Sequence, residues 1–465
     1  MSVEELDAAT STGRELTPLP MRQRLYVMMF LQYFVQGSYL PIISVYLQDA
    51  LGFDSRQLGV FGAALAVGPT VAPFFVGLIV GRHVWTEIVL AFCHLLGGVI
   101  MLLLYFQTGF LPVVILGAFY SALYVPSLML TNSLAFHHLR NRDAEFPGVR
   151  LWGTIGFVIP AWVVELYFLH GLSGDELNIR RGVVLLLAGG AGVLMAAYSL
   201  TLPHTPPAKS DKKDLAPGKV LAGLRHRDFL TLVLVSFIVA VSHKFFFVWN
   251  SPFLRDVLKQ GGVTGAWEQR ISSIGQVFEV AVMAVLGLMV LKLGFKRTML
   301  IGALAYMARC LIFAFAITAD GEGAFPAVMS LVCAGQALHG LCFGCFLAAA
   351  YMYVDRISPP DVRGSMQNFY GTFVIGVGMF LGGFVSGQIG ESFTRPASEA
   401  TWRLALGIES QAGIVRFVDQ ATNVEMMRDW VGIWLAGTLI AAFAAAAFAI
   451  TFPRKPTDIA TAEAG

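Results

Sequence analysis

The sequence predicts an all-α membrane protein with about twelve transmembrane helices arranged as two six-helix halves. Three observations lead to this prediction. Of 465 residues, 56% are hydrophobic and only 13% are charged, whereas a typical soluble domain is about 25% charged. Apolar segments long enough to cross a bilayer recur along the whole chain. A polar stretch at residues 203–228 separates the first six of these segments from the last six.

The spans are predicted wherever about 20 mainly apolar residues follow one another, the length that crosses a bilayer as an α-helix. The first half, residues 22–202, has candidates at about 25–47, 57–80, 86–107, 111–135, 149–170 and 181–202. The second half, residues 229–452, has candidates at about 229–250, 270–291, 298–318, 326–353, 366–388 and 430–452. The segment between the halves is rich in Pro, Lys and Asp, so it is expected to be a cytoplasmic loop.

Residues 1–21 and 453–465 are polar and are expected to be cytoplasmic tails. The first tail lacks the basic start of a signal peptide. With the N-terminus in the cytoplasm, 19 Lys and Arg residues fall in cytoplasmic segments and 6 in the opposite connections, as the positive-inside rule requires. Residues 391–429 are left out of this count because long inserts cross regardless of charge. The sequence predicts a multi-pass inner-membrane protein with both termini cytoplasmic and an external cap formed by the insert.

Charge and cysteine content exclude several other classes of protein. The net charge is +2, and no Lys/Arg run is long enough to predict nucleic-acid binding. The five cysteines lie in apolar stretches, and the one C-x-x-C pair, Cys342 and Cys345, has no second pair or His cluster to complete a zinc site. No disulfide, metal or cofactor is therefore expected.

Span five carries Arg150, Thr154 and Phe157 on one helical face, because they are spaced at i, i+4 and i+7. A guanidinium, a hydroxyl and an aromatic ring along one stripe suit a polar ligand with a flat ring. Arg150 also lies near the cytoplasmic end of its span. The alternative is that it is an anchor whose long side chain reaches the lipid phosphates.

Span eight carries Gln276 and Glu279 on one face. A carboxylate within a span is costly and normally faces a cavity or a partner, so Glu279 is the best candidate for a proton carrier. The alternative is a structural ion pair. Lys244 in span seven is the expected partner of Glu279, and Phe247, one turn further on, is a candidate stacking residue.

Spans ten and one complete the predicted cavity. His339 and Phe343 follow helical spacing in span ten, where His339 could bind substrate, shuttle protons or bond to a backbone carbonyl. Gln36 lies on the polar face of span one. The other polar or aromatic candidates are Gln32, Tyr39, Tyr120, Tyr124, Asn132, Gln336 and Phe346. For the members from spans one and four, pore lining and hydrogen bonding between helices are equally simple readings. Such a cavity suits a neutral, polyhydroxylated ligand with a stackable ring.

Six spans, a basic loop and six further spans form the layout of the major facilitator superfamily, which binds substrate near the midplane between its halves. Within that superfamily the chain resembles the bacterial nucleoside:proton symporter family over about residues 22–455. The segments that carry the resemblance are LQYFVQGSYL, FPGVRLWGTIGF, LTLPHTPP, GQVFE, MARCLIFAF and VDRISPPDVRGSMQNFY. The resemblance implies substrate contacts from spans five, seven, eight and ten. The positions that match the family's contacts to base and ribose are Arg150, Thr154, Phe157, Gln276, Glu279 and Phe343.

The chain departs from this family at several positions. Lys244 and Phe247 stand where the family has Gln and Asn, and His339 stands where it has Tyr. Gly344 replaces an acidic residue next to the span-ten Phe. A separate departure from the superfamily signature is Gly81 before Arg82, in place of an Asp.

These observations together predict a secondary transporter that imports nucleosides by alternating access, with Glu279 coupling transport to protons. Its partners would be a nucleoside, protons and membrane lipid, and it would work as a monomer. The alternatives are a carrier of the same fold for a sugar or another polyhydroxylated solute, and an uncoupled nucleoside facilitator. A membrane-embedded transferase and a sensor that binds without transport are more distant alternatives.

Overall fold

The computed structural model describes residues 16–75, 84–206, 224–319, 323–359, 363–399, 401–408, 410–419 and 422–453. Gly81, Arg82, most of both tails and most of the central loop lie outside these residues. The first half contains α1 (Leu19–Tyr39), α2 (Ile43–Asp49), α3 (Ser55–Ala64), α4 (Val67–Phe75), α5 (Thr86–Tyr105), α6 (Phe110–His138), α7 (Arg142–Val163), α8 (Gly174–Arg180) and α9 (Val183–Ser199). A π-helical turn, Val164–Phe168, extends α7.

The second half is also helical apart from three short strands. It contains α10 (Arg227–Gln260), α11 (Glu268–Ala316), α12 (Phe325–Gly340), α13 (Ala349–Ile357), α14 (Arg363–Tyr370), α15 (Met379–Ser392), β1 (Thr394–Pro396), α16 (Trp402–Ala405), β2 (Ile414–Val418), β3 (Glu425–Asp429) and α17 (Trp430–Thr451). The π-helical segments Leu341–Ala348 and Gly371–Gly378 join α12 to α13 and α14 to α15.

The helices account for the twelve predicted spans. Nine helical segments in the described part of the chain are long and apolar enough to cross a membrane. One of them, α11, contains both predicted spans eight and nine, and the chain turns between them at Gly294, whose φ of 77° favours glycine. The pairs α1–α2 and α3–α4 correspond to spans one and two. The outer surface exposes large apolar side chains such as Leu291 and Ile450, which suits contact with lipid.

Two predicted elements differ in detail from the structure. Span one is not a continuous helix over residues 25–47, because α1 ends at Tyr39 and the chain resumes as α2 after Pro41, which has no N–H to continue a helical ladder. The insert, for which the sequence predicts a cap and no strands, contains a small sheet. Its strands form an antiparallel sheet in the order β1–β3–β2, and β3 leads directly into α17, where the Asp429 side chain accepts from the Gly432 N–H.

The two halves meet closely where glycines remove the side chains between α3 and α15. A Cβ on Gly59 would lie 2.5 Å from the Gly387 Cα, and a Cβ on Gly383 would lie 2.4 Å from the Ala63 nitrogen. Gly382 packs in the same way against the α10 backbone. Gly382, Gly383 and Gly387 of span eleven therefore allow close contact between helices, as small residues commonly do in membranes.

We name the two ends of the bundle for the segments found there. The insert end carries residues 40–54, 169–182, 256–267 and the sheet, and the tail end carries residues 16–18, 139–142, 224–226 and Gly294. The halves are joined at the insert end by buried ion pairs. Arg181 contacts Asp49 at 3.2 Å and Glu268 at 2.6 Å, and Arg255 also pairs with Asp49. The bundle is therefore closed at its insert end.

Candidate functional site

Glu279 lies on α11 at the boundary between the halves, and its side chain is 18% exposed. Its Oε2 atom is 3.7 Å from Nε2 of His339 on α12. From the first half, α7 contacts the same helix, since Nε1 of Trp162 donates to Oγ of Ser273 at 3.2 Å. The predicted acid thus lies beside a base of the second half, on a helix that contacts the first-half helix carrying Arg150.

A buried arginine that the sequence left without a role holds His339 in place. Arg309 is fully buried, and its Nη1 lies 3.0 Å from Nδ1 of His339. A guanidinium only donates hydrogen bonds, so Nδ1 of His339 is the acceptor and the ring proton is on Nε2. That proton points toward Glu279. The Arg309 guanidinium also stacks on the Phe246 ring at 3.6 Å.

The predicted ion pair between Lys244 and Glu279 is wrong. Lys244 faces the seam between α10, α3 and α15, where its Cβ lies beside Gly382 and its Cε beside Gly62. The structure gives its ammonium no ion pair or hydrogen bond among the described residues. The preceding residue, His243, faces the cluster and shares a 2.8 Å hydrogen bond with the Tyr306 hydroxyl. Successive side chains on a helix point about 100° apart. The prediction was therefore wrong by one residue, since His243 and not Lys244 faces the cluster.

The polar face of α7 points into the bundle as predicted. Arg150 lies over the Tyr33 ring, with 4.2 Å between its Cζ and the ring centroid. Both residues are half-buried, so this contact supports a role inside the bundle over that of a lipid anchor. Thr154 is half-buried on the same face, and Phe157 lines a cavity one turn closer to the insert end.

That cavity, which we call the chamber, lies between the halves just below the closed insert end. Five residues predicted as candidates line it: Phe157, Phe247, Gln276, Gln336 and His339. Sequence reasoning missed further polar members, namely Asn250, Gln269, Ser272 and Ser273. Gln269, Ser272 and Ser273 lie in the first two turns of α11, directly after the loop, where polar residues are common and give no signal of a site.

Three side chains of the chamber form hydrogen bonds with one another. Gln336 donates through Nε2 to Oδ1 of Asn250 at 2.6 Å, and Asn250 donates through Nδ2 to Oγ of Ser272 at 2.8 Å. This chain links α12, α10 and α11, so it fixes the relative positions of the helices that carry the second half of the site.

The remaining predicted residues lie outside the chamber. The ring centroid of Phe343 lies 6.3 Å from that of His243, which places it beside the Glu279 cluster. Gln36 is half-buried on α1, and its side chain has no hydrogen bond among the described residues. Gly344 faces α11, where an added Cβ would lie 2.8 Å from Val282. Apolar side chains of α11 thus occupy the place beside Gly344.

Polar residues of spans one and four join helices together. Gln32 bonds to Nε2 of His94 and to Oγ of Ser127, each at 2.8 Å, and the Tyr124 hydroxyl donates to the Gln32 carbonyl at 2.7 Å. Of the two readings open from the sequence, the structure supports helix joining for Gln32 and Tyr124. No group of three His, Cys, Asp or Glu side chains suited to a metal occurs among the described residues.

Comparison with known proteins gives one consistent family. The sequence model of the nucleoside H+ symporter family matches residues 19–458. The putative nucleoside transporter YegT of Escherichia coli K12 is 26% identical over 94% of this chain and 95% of its own. Nucleoside permease NupG of the same organism is 25% identical over 81% and 89%, and its xanthosine permease is 24% identical over 93% and 96%.

The fold agrees with this match. A crystal structure of NupG superposes with a TM-score of 0.75 at 23% identity, covering 94% of this chain and all of the other. At that identity the superposition shows the fold alone. The predicted major facilitator superfamily fold of two six-helix halves is thereby confirmed.

Proposed function

The chain belongs to the nucleoside H+ symporter family, and from that premise we propose that it imports nucleosides with protons through the chamber and the adjacent Glu279 cluster. Because the family consists of transporters, the chain is a multi-pass membrane carrier and not an enzyme. This removes the transferase from the alternatives. Nucleosides and protons are the substrates that the family implies.

The observation that carries the proposal is the position of Glu279, 3.7 Å from His339, on the helix α11 that bonds to α7, which carries Arg150. An unpaired charge is costly inside a membrane protein. When the halves move relative to each other, or when Arg150 binds substrate, the surroundings of the carboxylate change, and its tendency to hold a proton changes with them. Binding of proton and substrate is coupled through Glu279.

The proposed substrate contacts follow from where the side chains lie. Arg150 and Thr154 hydrogen-bond the ribose hydroxyls, and Gln276 bonds to a base edge. Phe157 and Phe247 face the chamber and stack on the base, while Phe343 closes the site beside His243. Gln36 contributes a polar contact from α1. Lys244 is not part of this set because its side chain lies in the α3–α15 seam.

We also propose how the protein sits in the cell. It spans the cytoplasmic membrane as a monomer in lipid, with the tail end in the cytoplasm and the insert end outside, which follows the distribution of Lys and Arg. The buried ion pairs at the insert end then describe a conformer that is closed to the exterior.

Uptake of radiolabelled uridine and adenosine into proteoliposomes tests the function directly. An imposed inward proton gradient is expected to drive accumulation above equilibrium, and a protonophore is expected to abolish it. Unlabelled nucleosides should compete and lactose should not. Uptake of labelled lactose in the absence of nucleoside uptake would identify a sugar carrier. Nucleoside uptake that only reaches equilibrium would identify an uncoupled facilitator.

A further inference from the structure

We propose that Gln269 reads the nucleobase of the substrate and reaches its reading position only when the insert end is closed. This inference rests on the proposed function and extends it by a specificity-determining residue. Gln269 is the second residue of α11 and lies at the edge of the chamber nearest the insert end.

The carboxamide of Gln269 is buried without a partner. Its exposure is 0%, and neither Oε1 nor Nε2 has a hydrogen bond among the described residues. Buried polar side chains are nearly always hydrogen-bonded, so such a group requires an explanation. Because the side chain lines the chamber, a ligand entering the chamber can satisfy it.

The neighbouring amide does not share this property. Asn250 uses its Oδ1 for Gln336 and its Nδ2 for Ser272, so it has little capacity left for a ligand. Gln269 therefore offers a free donor and a free acceptor in the wall of the chamber. A carboxamide with both atoms free pairs with a neighbouring donor and acceptor on one edge of a ring, as glutamine pairs with adenine.

The walls of the chamber determine the shape of the group that enters. Phe157 comes from the first half, and Phe246 and Phe247 come from α10. Aromatic faces favour a flat ring between or against them. A flat ring with hydrogen-bonding atoms on its edge is a nucleobase, whereas a sugar has no such face.

The position of Gln269 along α11 places it at the far end of an extended ligand. Gln276 lies seven residues later on the same face, about 10 Å toward the tail end. Glu279 follows three residues further on. A ligand whose ribose lies near Glu279 and Arg150 therefore directs its base past Gln276 toward Gln269.

Contacts across the halves hold Gln269 in this place. Its backbone N–H donates to Oε1 of Glu165 at 2.7 Å, and the backbone N–H and Nε of Arg270 donate to Oε2 at 3.2 and 2.8 Å. Glu165 belongs to the first half and is 1% exposed. When the halves separate at the insert end, these bonds break and Gln269 moves away from Phe157. Gln269 therefore contacts the base only when the insert end closes.

The substitution Gln269→Met tests the proposal, because methionine has a similar length and volume but no amide. In proteoliposomes we expect the KM for adenosine and uridine to rise about tenfold, the loss that follows when a buried hydrogen bond to the base is not made. Inhibition by methyl β-ribofuranoside, which has no base, should change by less than twofold. Gln269→Asn keeps the amide and should give an intermediate KM.

Gln107→Met is the matched control, since Gln107 is an amide just after the end of α5 whose side chain donates to the Leu103 carbonyl of that helix and does not line the chamber. It should leave both constants unchanged. Nucleoside-dependent thermal stabilisation of the purified variants gives a second measurement that does not require transport. A nucleoside KM and a thermal shift within twofold of wild type in Gln269→Met would overturn the inference. Absence of nucleoside uptake by the wild-type protein would instead refute the proposed function.

Discussion

At the scale of single residues, the site is organised by Arg309, His339 and Glu279. Arg309 fixes the tautomer of His339 because it can only donate, and the resulting Nε2–H points at the carboxylate. Sequence spacing identified Glu279 and His339 as candidates. Arg309 stands out as a cation within an apolar span, but the sequence gave it no role because its partner His339 lies on a different helix.

Glu279→Gln removes the proposed proton site but keeps a hydrogen-bonding side chain of the same size. We expect gradient-driven accumulation to be lost, because a carboxamide does not gain or lose a proton near neutral pH. Exchange of labelled for unlabelled nucleoside should persist at a reduced rate. Accumulation that equals wild type would place proton coupling elsewhere.

Lys244→Met replaces an ammonium that is 9% exposed and has no ion pair among the described residues. Burying an unpaired charge is costly, so the variant should melt a few degrees higher in detergent, as expected for a gain of about 1 kcal/mol. Accumulation should be retained because Lys244 does not contact Glu279. Loss of accumulation with normal folding would instead assign coupling to Lys244.

At the scale of helices, the seam between α3 and α15 lets the halves close. Gly59, Gly383 and Gly387 bring the two backbones together without side chains. The insert follows the same helix, and its sheet is tied down by Arg403, which pairs with Asp429 at the start of α17. The insert is therefore fastened to the second half at both of its ends.

Gly59→Val introduces a Cβ at a point only 2.5 Å from the Gly387 Cα. The closed insert end can then form only if the helices separate, so we expect uptake to fall at least tenfold. A cysteine at Ser272 should become more accessible to an impermeant thiol reagent added outside. Gly190→Val is the control, because no atom lies within 4 Å of its added Cβ. Normal uptake by Gly59→Val would show that this seam does not close during transport.

At the scale of the whole molecule, alternating access depends on how strongly the two halves are held at each end. Asp49, Arg181, Arg255 and Glu268 form one buried ionic cluster across the insert end. Such a cluster is stable only while all its members are paired. It acts as a latch for the conformer that is closed on this side.

Arg181→Met leaves Glu268 and Asp49 with fewer partners in the closed conformer. Because a carboxylate buried without its partner is strongly destabilising, the population should shift toward the conformer open at the insert end. The expected results are faster external labelling at Ser272→Cys and a lower uptake rate. Arg56→Met is the control, since Arg56 forms an exposed pair with Glu391 that is worth little. Unchanged labelling would mean that the latch does not determine the equilibrium.

The sequence by itself determined the twelve spans, the two halves and the family, and it predicted Glu279 as the acid of the site. It could do so because each span must satisfy the bilayer locally with a run of apolar residues, and because the family motifs are short segments. Only the tertiary structure decided which side chains meet. The rotation of α10 turns Lys244 away and brings in His243, Arg309 reaches His339 from a different span, and the strands of the insert pair across a loop. Gln269 becomes a candidate only when its burial and its lack of a partner are seen. Contacts of this kind depend on helix rotation and on packing between distant segments, which no local pattern of residues specifies.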